Sequence, residues 1–162
     1  MTNVLWKDEY VTHDSVVDAE HRSMFKMLNE LQRLIASGVS DAKLGDILGH
    51  LVDYAARHFA AEETLMVSTG YPSCDEHRAK HLLLLAKGRQ LVEMHGDGSL
   101  RLGPDLPLYL ESWFSTHILE DDKPMVQWVR LQGGTIAASG HWRIHDESEW
   151  QGSRLGKKSG RS

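Results

Sequence analysis

Between His58 and His81 the chain sets metal-ligand residues at a spacing that suits a helix and no other regular structure. His58 and Glu62 stand four residues apart, and so do His77 and His81. On a helix, side chains at i and i+4 lie one above the other on one face, close enough to share a metal ion. Gly70-Tyr71-Pro72 breaks the chain between the two pairs, so they fall on successive helices that can face each other. The fold must therefore bring two neighbouring helices together along faces that carry donor atoms.

The rest of the chain supplies helices of matching length. From about Val17, the residues Val17, His21, Met24, Phe25, Leu28, Leu31 and Ile35 recur at spacings of three and four, until Ser37-Gly38 ends the pattern. A second helix opens near the cap Ser40-Asp41 and carries Leu44, Ile47, Leu48, Leu51, Ala55, His58, Glu62 and Leu65 on one stripe. A third starts at Ser73 or Asp75 with His77, His81, Leu84, Leu85 and Val92, and stops at Gly96-Asp97-Gly98. Pro104 and Pro107 mark the first turn of a fourth, with Leu106, Leu110, Trp113, Phe114 and His117. A short fifth helix follows Pro124, from Met125 to Leu131. Nothing alternates at period two over a useful length. The prediction is an all-α, up-down-up-down four-helix bundle with a short extra C-terminal helix and an N-terminal arm, whose Trp6, Tyr10 and Val11 lie across the helices.

The bundle is expected to occupy residues 1–131, because the composition changes after that. Residues 133–162 hold six glycines and end in the basic run Arg154, Lys157, Lys158, Arg161. Residues 132–162 carry a formal +2 against −7 for the body, which predicts a flexible, basic tail able to dock on a protein partner. Trp142 and Trp150 leave room for a small hairpin there. The overall charge of −5 argues against a nucleic-acid binder. One cysteine, Cys74, permits no internal disulfide, the start lacks a basic-then-apolar leader, and the run Leu82–Leu85 is too short for a membrane span. These features predict a cytoplasmic protein.

The polar residues on the apolar stripes are His21, His58, Glu62, His77, His81 and His117, with Asp122 five residues past His117. On a regular helix that last spacing swings a side chain about 140° off-face, so the helix is expected to end or tighten near Asp122. A single histidine on an apolar face is usually a hydrogen-bonded core residue. Five imidazoles and two carboxylates buried together without partners would cost about 1–3 kcal/mol each, a cost that a cation removes. Seven donors exceed what one ion takes. Tetrahedral zinc needs four, whereas two octahedral-leaning irons bridged by Glu62 and Asp122 use all seven. The chain has no Glu-x-x-His and no His-Glu-x-x-His, so ferritin-like and zincin readings fail.

His21, His58-x-x-x-Glu62, His77-x-x-x-His81 and His117-x-x-x-x-Asp122 resemble the ligand signature of the hemerythrins, their bacterial single-domain form in particular. Trp6, Tyr10, Val17-Asp18-x-x-His21, His58-Phe59-x-x-Glu62-Glu63-x-Leu65-Met66, Gly70-Tyr71-Pro72 and Trp113 before His117-Ile118 extend the likeness over about residues 4–131. The resemblance implies a non-heme di-iron centre. His77, His81 and His117 would hold one iron, and His21 and His58 the other. Glu62, Asp122 and an oxo or hydroxo group would bridge them, leaving one open position for dioxygen. Phe25, Trp113, Phe114 and Ile118 would shelter that site from protons and anions. Reversible oxygen binding for storage, delivery or sensing is the implied function. The alternatives are a redox enzyme that reduces nitric oxide or peroxide, and a sensing module docked through its tail.

Three positions depart from the family pattern: Glu20 where glutamine is usual, His13 where glycine is often found, and Phe114 where leucine is common. Glu20 is expected to add a charge beside the metal-bound imidazole that follows it. His50 and His95 are expected at the surface, and Glu63 is expected to be a solvated charge. Cys74 is expected to be inert, and His141-x-x-x-His145 lacks a third ligand.

Overall fold

Asp14 starts the first helix, because its carboxylate accepts from the amides of Val16 and Val17, two of the donors that a helix start leaves without partners. In the computed structural model, which describes residues 3–132, α1 runs Ser15–Ala36, α2 Asp41–Thr69, α3 Cys74–Gly96, α4 Leu106–His117 and α5 Lys123–Leu131. A single 3₁₀ turn, Asp8–Tyr10, precedes them. Ser40 caps α2 by accepting from the Lys43 amide. Gly70 ends α2 at φ 68°, in the left-handed region, and the Tyr71 amide bonds back to the Met66 carbonyl. The four long helices form the up-down-up-down bundle, with α1 packed on α2 and α4, and α2 on α3.

The apolar stripes meet in two clusters. The larger joins Met24, Phe25, Leu28, Leu31, Leu48, Leu51 and Phe59 to Leu110 and Ile118. A smaller one, Val17, Leu65, Met66, Met125, Val126 and Val129, closes the other end of the bundle. Each fully buried side chain of this size contributes about 1.5–3 kcal/mol. Along α1, α2 and the α4–α5 run, the polar residues His21, His58, Glu62, His117 and Asp122 fall between members of the two clusters. The donors therefore form a polar layer between two apolar ones. At Gly88 α3 comes so near α2 that an added Cβ would meet Val52 Cγ2 at 3.0 Å.

The N-terminal arm lies across the helices as expected. Asn29 clamps Val4 with both ends of its amide, accepting from the Val4 amide at 2.8 Å and donating to its carbonyl at 2.7 Å. Trp6 stacks edge-on against Phe25 and Tyr10, and Lys123 donates to the Glu9 carbonyl.

Two expectations fail here. The fourth helix neither ends nor tightens near Asp122. It widens into a π turn, Ile118–Asp122, closed by the Lys123 amide bonding to the Ile118 carbonyl, and continues into α5. The extra residue in that turn returns residues five apart to one face, so His117 and Asp122 both point inward. His95 is not a surface residue. It is buried, with Nε2 2.7 Å from the Asp41 carbonyl and Nδ1 3.2 Å from that of Leu100, and ties the end of α3 to the start of α2. His50 is exposed, as expected. The tail residues after Gln132, with Trp142, Trp150, His141 and His145, lie outside the described residues. Among the described residues no helix is long and apolar enough to cross a membrane.

Candidate metal centre

Each helix of the bundle brings its donors to one layer: His21 from α1, His58 and Glu62 from α2, His77 and His81 from α3, His117 from the end of α4 and Asp122 from the π turn. All seven are at most 4% exposed. The Nε2 atoms converge, His21 on His58 at 3.0 Å, His81 on His117 at 3.0 Å and His77 on His117 at 3.3 Å.

The two carboxylates divide their oxygens between two groups of imidazoles. Glu62 turns Oε1 to His58 at 3.3 Å and Oε2 to His81 at 3.2 Å. Asp122 turns Oδ2 to His21 at 3.1 Å, and Oδ1 to His77 at 3.1 Å and His117 at 3.0 Å. Two donor sets follow: Glu62, His77, His81, His117 and Asp122 in one, and His21, His58, Glu62 and Asp122 in the other. Within each set the atoms lie within 4.8 Å of one another.

The donor set itself tests whether a metal fits. None of the four carboxylate oxygens of Glu62 and Asp122 has a hydrogen-bond partner, although each lies near an imidazole nitrogen. Buried carboxylate oxygens left so are costly, and a cation between them and the Nε2 atoms satisfies both. Electrostatics of the metal-free cluster say the same. Burial opposes charge on His117, yet Asp122 and Asp121 outweigh it and hold the imidazole up at about 10. Burial likewise opposes charge on His58, where Glu62 and Glu20 prevail and raise it well above its usual range. Burial would raise Glu62 and Asp122, yet the imidazoles around them hold both carboxyls below the usual range. The layer demands positive charge, which protons or metal ions can supply.

Outside this layer, three carboxylates take the far nitrogen of an imidazole. Glu20 Oε2 lies 2.6 Å from His58 Nδ1, Glu63 Oε1 3.0 Å from His81 Nδ1, and Asp121 Oδ2 3.1 Å from His117 Nδ1. A carboxylate there fixes the proton on Nδ1 and leaves the Nε2 lone pair facing the centre. Glu63 is thus an orienting group and not merely a solvated charge. Glu20 serves His58 across the helix interface, not the adjacent His21. Asp121 was the residue that sequence reasoning missed, and its i+4 relation to His117 was the signal.

The four residues expected to shelter the site are not equivalent. Phe25 and Ile118 are buried in the larger cluster. Trp113 and Phe114 are half-buried and line an apolar cavity of about 30 Å³ between α2, α3 and α4, together with Leu51, Leu85, Gly88 and Phe59. The Phe59 ring stacks on His81 at 4.0 Å between centroids and 7° between planes, so the cavity adjoins the three-histidine group. Cys74 is half-buried beside the smaller cluster.

Residues 12–129 match the model of the hemerythrin HHE cation binding domain. A bacteriohemerythrin of Stenotrophomonas maltophilia is 28% identical over 155 residues, covering 96% of this chain and 97% of the relative. One of Pseudomonas aeruginosa is 32% identical over 130 residues, 80% of this chain and 84% of the relative. A crystal structure of wild-type hemerythrin superposes with a TM-score of 0.72 at 29% identity, over 76% of this chain and 95% of that one.

Proposed function

The chain belongs to the hemerythrin family, and on that premise we propose that its polar layer holds two iron ions and binds dioxygen reversibly. His77, His81 and His117 serve one ion, and His21 and His58 the other. Glu62 and Asp122 serve both. The observation that carries this reading is the division of each carboxylate, one oxygen toward each imidazole group.

Held in this layer, a pair of ferrous ions would supply a binding place and electron density for dioxygen. The protein's part is to hold that pair dry and fixed. Glu20, Glu63 and Asp121 keep protons on the outer nitrogens of three imidazoles, so that the inner lone pairs stay available. The two-histidine group has one donor fewer than the three-histidine group, so an ion held there would be the one with room for a further ligand. Phe25, Ile118, Trp113 and Phe114 keep water and anions from the layer, and the small cavity beside Phe59 is lined by apolar side chains, which disfavours a charged guest.

The test is spectroscopic. Reduced, colourless protein exposed to air should gain a stable visible absorption band that vanishes under argon, over repeated cycles. Rapid, irreversible oxidation with no stable oxygenated spectrum would overturn oxygen carriage in favour of a redox enzyme.

A further inference from the structure

The three carboxylates that take an outer imidazole nitrogen differ in what balances their charge. Glu63 has the Arg78 guanidinium 3.5 Å away and is about a quarter exposed, its side chain at 28%. Asp121 is paired with the Lys80 ammonium at the surface. Glu20 is buried and makes the shortest of the three contacts, 2.6 Å to His58 Nδ1. Among the described residues it has no Lys or Arg within ion-pair distance. Of the three carboxylates, only the one beside His58 therefore lacks a Lys or Arg ion pair, and that imidazole belongs to the set with the fewer donors.

Physics gives this asymmetry a consequence. Oxidation of an iron from ferrous to ferric adds one positive charge. A buried negative charge that nothing offsets favours the higher charge more strongly than one already neutralised at the surface. A carboxylate that accepts the Nδ1 proton also makes the imidazole a stronger donor at Nε2. Arg78 and Lys80 blunt both effects at His81 and His117.

We infer that Glu20 is a positioning residue that, through His58, biases the two-histidine ion toward the ferric state and sets how fast the reduced centre is lost in air. In that loss the two ferrous ions each give up one electron. One dioxygen takes both electrons and two protons and leaves as hydrogen peroxide. The inference rests on the di-iron reading above. Glu20 thus pulls against stable oxygen carriage, and a neutral group in its place would favour it.

The experiment uses the full chain loaded with iron, as wild type, Glu20→Gln and Glu63→Gln. Iron per chain is measured first, then the midpoint potential by spectroelectrochemistry, then the half-life of reduced protein in air. Glu20→Gln keeps the hydrogen-bond reach and removes the charge. It should raise the midpoint potential and lengthen the half-life by about tenfold, the lower end of what loss of a partner behind a ligand does to metal affinity or activity. Glu63→Gln should move both much less. Equal shifts in the two variants, or none in Glu20→Gln with two irons bound, would overturn the inference and leave the di-iron reading standing. Wild type without two irons would fail that reading instead. If Glu20→Gln does not retain iron, Glu20→Asp carries the test, because its shorter side chain keeps the charge but loosens the bond to His58. An upward shift there supports the role of Glu20, and an unchanged potential overturns it.

Discussion

His13 holds φ at 70°, a left-handed conformation that only glycine adopts without cost. The backbone is pinned there from both sides. Asp18 accepts from the amide and hydroxyl of Thr12, and the Asp14 amide donates to Thr12 Oγ1. The imidazole is exposed, so it gains little from packing. His13→Gly should therefore stabilise the fold by about 1 kcal/mol, read as a higher denaturation midpoint in urea at unchanged slope. At this scale the sequence was legible where residue type and spacing together carry the meaning. The seven donors stand out because imidazoles on apolar stripes are rare. Glu63 was not legible, because an acid beside a donor looks the same in sequence whether it faces water or an imidazole. Its bond to His81 depends on how α2 meets α3. Likewise Glu20 precedes His21 in sequence yet serves His58, a relation that only helix packing creates.

Among the elements, α4 and the π turn that follows it do the most to position the centre. One inserted residue per turn lets a single helix offer both His117 and Asp122 to the layer. Sequence spacing announced a problem at this point, but the expected stop or tightening is not the solution: a 3₁₀ turn would still leave residues five apart well off one face, whereas the wider turn returns them to it. The opening turns were more legible, because Asp14, Ser40 and Gly70 cap helices by local chemistry alone. α4 also carries Trp113 and Phe114, where it faces α2 and α3 across the apolar cavity. Phe114 is half-buried, so Phe114→Ala should cost about 2 kcal/mol, less than the roughly 3–5 kcal/mol of a fully buried ring. It would enlarge the cavity next to Phe59 and His81. Stopped-flow mixing with air and with azide should then show faster oxidation and faster anion entry than wild type. Unchanged rates in a folded, iron-loaded variant would remove Phe114 from the barrier.

The molecule as a whole is a layered device, with one apolar cluster at each end and a belt of donors between them drawn from every helix of the bundle. The large cluster, clasped by the arm through Val4 and Tyr10, gives the bundle its stability. The small one, built on α5, seals the end nearest Asp122. A belt held in this way cannot relax when its charge is left uncompensated. Glu62→Ala should accordingly lower metal content and thermal stability together, since it removes a shared donor and leaves buried imidazoles without it. The bundle was legible from periodicity, but its layering was not, because no sequence pattern tells which end of a stripe meets which neighbour. Whether the seven residues serve two ions is decided by metal analysis of the purified, iron-reconstituted full chain. Two irons per chain is the predicted result. One zinc per chain and no iron would contradict it.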